Sequence, residues 1–291
     1  MDFGAVFANP LCAPGPALAL LARLGLPGLV GAPDALLDVT PLRTRAGELF
    51  EPERLTANVD AGNVDSVAVA ATVCPPARSA ARTRLFVQGA PPQRPLHSYV
   101  DVIRTPLGLD HLLASAAIPM LFPPVHVADP PEAAGCYVDG GVRMNAPLGA
   151  ALAMDVERLV VVSGHSVEPP PVPPGPPDIA AAAAVSVRAV LADALGDDLQ
   201  SLHRKNIRGY HETVPYLLVA PRDGELAELA AESFRPSGPY WTIGKLLDPL
   251  GSGAGRDELL SLILFQHEYA RRQVECGRRD ARTALAAGWM R

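Results

Sequence analysis

Short runs of β-branched and apolar residues recur along the chain with helix-like stretches between them, and this alternation restricts the fold more than any other feature. Asp65–Cys74 (DSVAVAATVC) predicts a half-buried or buried strand. Thr83–Val87 and Tyr99–Arg104 predict two more short strands, parted by the turn-forming Gly89-Ala90-Pro91-Pro92. Leu109–Ala117 has helical composition and is stopped by Pro119, since a proline supplies no backbone N–H. Cys136–Val138 predicts a very short strand running into Asp139-Gly140-Gly141. Ala146–Met154 follows as a helix with Pro147 near its first turn, where proline is tolerated. Arg158–Ser163 (RLVVVS) predicts a buried strand of the kind found inside a parallel sheet, and Val214–Ala220 a last strand. Strands alternating with helices imply a three-layer α/β domain.

The flanking regions are helical or irregular. Residues 15–30 are rich in Leu and Ala and predict a short helix, then a turn at Gly25, Pro27 and Gly28. Asp178–Asn206 places Val187, Leu191, Leu195, Leu199 and Leu202 on one face of a long helix. Pro239–Leu250, Asp257–Phe265 and Glu268–Ala287 predict further helices. Seven prolines in the nine residues Pro169–Pro177 form a stiff exposed loop or, less in keeping with the lack of a basic anchor beside them, a polyproline ligand. No internal repeat is evident, so the expectation is one domain over 1–291, with a Pro-rich loop at 169–177 and a helical C-terminal part over 224–291.

Composition excludes several functional classes. The hydrophobic content of 48% and net charge of −6 argue against disorder, and the acidic balance gives no support to a nucleic-acid-binding surface. The longest apolar runs, such as Leu259–Phe265, are far shorter than the roughly 18 residues of a spanning helix. No basic stretch precedes an apolar run at the start, so a cytoplasmic location is expected. Cys12, Cys74, Cys136 and Cys276 show no C-x-x-C spacing and read as small apolar core residues; no metal and no cofactor is expected. Phosphate-loop and dinucleotide glycine patterns are absent, and His211-Glu212 and His267-Glu268 each lack the second histidine of a zinc protease. Arg271, Arg272, Arg278, Arg279 and Arg282 on the last helix read as a solvated face, with contact to an anionic surface as the alternative.

Two neighbouring segments carry chemistry. Ala114–Val125 reads ASAAIPMLFPPV, and Tyr137–Leu148 reads YVDGGVRMNAPL. Together they resemble the patatin-like phospholipase family, in which a segment like A-S-x-A-I-P-x-x-F-P-P-V precedes Y-x-D-G-[GA] and then N-x-P before a helix. Leu36–Leu42, Val214–Pro221 and Leu259–Ala281 are similar to other parts of the bacterial members, so the resemblance spans about residue 15 to 285. It implies a three-layer fold with a mostly parallel central sheet flanked by helices. It also implies a serine–aspartate dyad that cleaves acyl esters of lipids, with Asp139 as the base. The lipid or acyl-ester substrate would bring transient contact with a membrane surface, and no nucleic acid. Gly140 and Gly141 would form the tight turn that presents the carboxylate, and partial desolvation would lift its pKa toward a useful range. Asn145 and Pro147 match the loop that holds the turn and carry a structural role. Ser115, between Ala114 and Ala116 at a helix end, is not at the family's nucleophile position.

The departure concerns the nucleophile. The family's serine sits in a G-x-S-x-G elbow behind a glycine-rich oxyanion loop, and neither pattern occurs in these 291 residues. The fold is therefore expected to be N-terminally incomplete, with Asp139 a base lacking its serine. Two readings follow: a lipid acyl hydrolase inactive as this chain, or a non-catalytic module that binds lipid or a protein partner.

Overall fold

The computed structural model describes residues 35, 39–74, 82–119, 121–144, 147–167, 181–182, 184, 193–208, 213–235, 240 and 253–290. The chain divides into two compact units, one within Leu11–Asp155 and one over Val156–Arg291 together with Met1–Pro10.

In the first unit, helix α1 (Thr40–Leu49) leads into α2 (Pro52–Asp60), where Pro52 takes the first helical position and Glu51 before it is extended, as a residue preceding proline prefers. Then come β1 (Ser66–Val73), β2 (Thr83–Gly89), β3 (Val100–Arg104) and α3 (Leu109–Ser115). A hairpin of β4 (Val125–Val127) and β5 (Gly135–Asp139) follows, then a helical turn α4 (Gly141–Met144) and α5 (Leu148–Ala153). The five strands form one sheet in the order β3-β2-β1-β5-β4.

Period-two alternation in β1 divides the core. Val67, Val69, Ala71 and Val73 pack with Phe86, Tyr137 and the α3 residues Leu113 and Ala114, and Leu42 and Leu55 join from α1 and α2. Ala70 faces the other way, into a cluster of Leu85, Val87, Met144 and Ala150 beneath α4 and α5. Helices thus cover both faces, and the unit is the three-layer α/β arrangement the sequence implies.

Strand direction departs from expectation. β1 pairs antiparallel with both β2 and β5, β4 pairs antiparallel with β5, and only β2–β3 is parallel in this sheet. The short link 128–134 brings β5 straight back beside β4, as an antiparallel pair allows.

In the second unit, β6 (Leu159–Val162) pairs parallel with β7 (Tyr216–Val219), and α6 (Asp193–Arg208) buries Leu195, Leu199 and Leu202. Leu159 and Val161 are buried, whereas Val160 and Val162 are 57% and 75% exposed. This strand is therefore buried on one face and not on both, in keeping with a two-stranded ladder. Helices α7 (Glu225–Ser233), α8 (Ala254–Ile263) and α9 (His267–Ala287) close around Ala230, Tyr240, Leu260, Leu264 and Tyr269. The helix expected over 15–30, the Pro-rich loop at 169–177, and the helix over 239–250 apart from Tyr240 lie outside the described residues.

Candidate active site

Asp139 is the last residue of β5, and its partner across the ladder is Ala71 of β1. Residues directly opposite in an antiparallel pair project to the same face, so the Asp139 side chain shares the α3 side of the sheet with Ala71 and Tyr137. The hydrogen-bond pattern of the ladder fixes where its backbone points. Cys74 N–H donates to the Cys136 carbonyl at 2.9 Å, which makes that pair the hydrogen-bonded kind. By alternation, Ala71 and Asp139 form a non-hydrogen-bonded pair. The Asp139 N–H is therefore free of β1, and it donates instead to the carbonyl of Ala117 at 2.9 Å. Ala117 lies in the ASAAIPMLFPPV segment, and the Val125 end of that segment pairs with Tyr137 of β5. The two sequence blocks are thus clamped together at both ends, and the clamp positions the aspartate.

Gly140 meets a second constraint. A Cβ there would lie 2.3 Å from the Ala70 carbonyl oxygen and 2.7 Å from its carbon, so only glycine lets the chain leave β5 so close to β1. The Gly141 N–H then donates to Asp139 Oδ1 at 2.6 Å, closing a turn around the carboxylate. Burial raises the Asp139 pKa above the ordinary carboxylate value, and the Gly141 hydrogen bond only partly opposes it. A half-buried carboxylate held this way is a stronger proton acceptor than a solvated one.

Gly141 opens α4, whose Arg143 guanidinium lies over the Tyr99 ring at 5.5 Å. Pro147 is the residue immediately before α5, whereas Asn145 lies outside the described residues. Ser115 ends α3, half-buried. His111, also on α3, is buried with both ring nitrogens engaged: Nδ1 accepts from Gly108 N–H at 2.9 Å, and Nε2 faces the Asp129 carbonyl at 3.0 Å. Both bonds fix the ring in place as a structural histidine. Sequence reasoning missed the Ala117 carbonyl as the tether of the aspartate. The available signal was the short spacing between the two blocks in the sequence.

The patatin-like phospholipase family model matches residues 17–152. Over that segment, just under half of the chain, the sequence is similar to the family. The matched segment takes in the Ala117 tether, Asp139, Gly140, Gly141 and Pro147, and the family acts on lipid esters. It does not include Val214–Pro221 or Leu259–Ala281, which the resemblance in the sequence takes in. No curated protein and no solved structure matches the chain. Among the described residues, no helix is long and apolar enough to cross a membrane.

Outside the patatin-like segment, Glu225, Cys276 and Asp280 bring potential metal-ligand atoms within 4.8 Å of one another. A cation already serves them. The Arg279 guanidinium donates to both Glu225 oxygens, at 2.6 and 2.8 Å, and to Asp280 at 2.7 Å. Burial, with Asp280 beside it, pushes the Cys276 thiol up to about 11, which disfavours the thiolate a metal would require. The cluster joins α9 to α7 as an ion pair.

Proposed function

We propose that this chain is the aspartate-bearing part of a lipid acyl hydrolase, with Asp139 as the general base of a serine–aspartate dyad. The reading rests on one observation above all: a carboxylate of raised pKa at the end of β5, clamped to Ala117 by its own N–H and to Gly141 by its Oδ1. The residues that would complete the chemistry, a G-x-S-x-G nucleophile and its oxyanion loop, do not occur among these 291 residues. One oxyanion donor contributes about 2.7–4 kcal/mol to lowering the barrier, so the chain alone should run at background rate. We assign Gly140 and Gly141 to the turn that presents the base, and Asn145 and Pro147 to the loop behind it.

The absence of that motif from the sequence favours a second reading, a non-catalytic module that binds lipid. Two measurements separate them. The purified chain should show no serine labelling by a fluorophosphonate probe and no fatty-acid release from a short-chain ester above buffer. Fusion to a patatin-like segment carrying G-x-S-x-G, from the upstream reading frame or a related domain, should then produce esterase activity. Asp139→Asn in the fusion should cut that activity at least 100-fold, within the usual range for a general base. An active fusion indifferent to Asp139→Asn refutes the base assignment. An inactive but folded fusion that still sediments with phospholipid vesicles supports the binding module.

A further inference from the structure

Two of the three cysteines among the described residues face one another across the ladder that carries Asp139. The β1–β5 register runs Ala71↔Asp139, Thr72↔Val138, Val73↔Tyr137, and the Cys74 N–H to Cys136 carbonyl bond of 2.9 Å extends it by one step. Cys74 and Cys136 are therefore directly opposite, as a hydrogen-bonded antiparallel pair, and their side chains leave the same face of the sheet. Such pairs have Cα atoms about 5.5 Å apart, inside the window of about 4.4–6.8 Å that a disulfide spans. Both thiols are free; Cys136 is exposed and Cys74 half-buried. The expectation that the cysteines are core residues thus holds for Cys276 alone among those described.

We propose that Cys74 and Cys136 are a reversible thiol–disulfide site, oxidised by a low-molecular-weight disulfide such as glutathione disulfide. The exposed Cys136 thiolate attacks one sulfur of glutathione disulfide, forming a mixed disulfide and releasing one glutathione thiolate. The Cys74 thiolate then attacks the Cys136 sulfur of that mixed disulfide and expels the second glutathione. Two protein thiols are oxidised, one glutathione disulfide is reduced to two glutathiones, and the two thiol protons pass to solvent and then to the departing thiolates. The order follows from access: solvent reaches Cys136, and Cys74 resolves. Burial, and secondarily the neighbouring Cys136, raise the Cys74 pKa, which fits Cys136 as the first thiol to react. The new bond would staple β1 to β5 three residues before Asp139, holding the register on which the aspartate depends.

The test incubates the full 291-residue chain with glutathione disulfide, alkylates remaining thiols, and maps peptides by mass spectrometry. Expected are a Cys74–Cys136 cross-linked peptide, a mass loss of about 2 Da from the reduced chain, and full reversal by dithiothreitol. Cys74→Ser should instead trap Cys136 as a stable glutathione adduct. Thermal unfolding of the oxidised wild type should sit about 5 °C or more above the reduced form. A second probe needs no variant: the reduced wild-type chain should bind phenylarsine oxide, which bridges paired thiols, and oxidation should abolish that binding. Persistence of the Cys136–glutathione adduct in the wild-type chain, or a cross-link that appears only after denaturation, overturns the proposal.

Discussion

Gly140→Ala tests the close approach on which the Asp139 turn rests. The added methyl would sit 2.3 Å from Ala70 O, 2.7 Å from Ala70 C and 3.0 Å from Ala70 Cβ. The first two are backbone atoms of the central strand β1, which is held on its other side by the β2 ladder, so no rotamer change relieves them. Reaching even a tight contact requires the end of β5 to withdraw by most of an ångström, which strains the Asp139–Ala117 hydrogen bond beside it. Forced overpacking of this kind costs about 1–3 kcal/mol, and the immobility of the opposing backbone favours the upper part of that range. For a unit of this size the loss corresponds to about 3–10 °C in melting temperature. Gly149→Ala is the internal control. It lies in α5 with nothing within 4 Å of its added Cβ, so it should gain about 0.5–1 kcal/mol from the reduced freedom of the unfolded chain. Thermal denaturation followed by circular dichroism compares the two variants with the parent. A Gly140→Ala melt within about 1 °C of the parent, or a Gly149→Ala loss of similar size, would refute the argument.

Two further outcomes concern charge. Because Asp139 has its pKa raised in the folded state, the native chain holds that proton more tightly than the unfolded one; its contribution to stability is greatest at acid pH and declines as pH rises through the folded pKa. Asp139→Asn removes that decline, so the variant should melt above the parent at pH 7 and converge with it in acid; a lower melting temperature at pH 7 contradicts the burial argument. Glu225 has the opposite sign, held below its ordinary pKa chiefly by hydrogen bonding to Arg279, so its contribution is present above the unfolded carboxylate range and lost as pH falls through the folded value. With the Arg279 side chain 43% exposed, Arg279→Ala should cost only about 1 kcal/mol after allowing for solvent screening. Urea unfolding at pH 7 and pH 3 should show that cost shrinking in acid, and a pH-independent difference would exclude the ion pair as its source.

Local patterns along the chain account for the elements. The alternation in Asp65–Cys74 gives β1, the β-branched run at Thr83–Val87 gives β2, and Pro119 prevents α3 from running on past it, because strand period and proline chemistry act over a few neighbouring residues. The blocks Ala114–Val125 and Tyr137–Leu148 also point to Asp139, through the resemblance to the patatin-like family that they carry. How those elements meet is a matter of long-range packing. The antiparallel pairing of β1 with β5, the exposure of Val160 and Val162, and the meeting of Cys74 with Cys136 depend on contacts between residues far apart in the chain. The tether of Asp139 to Ala117 belongs to the same class. An unpaired N–H at one ladder position finds the carbonyl that a distant loop happens to offer, and a linear pattern holds no information on which backbone group folding will bring there.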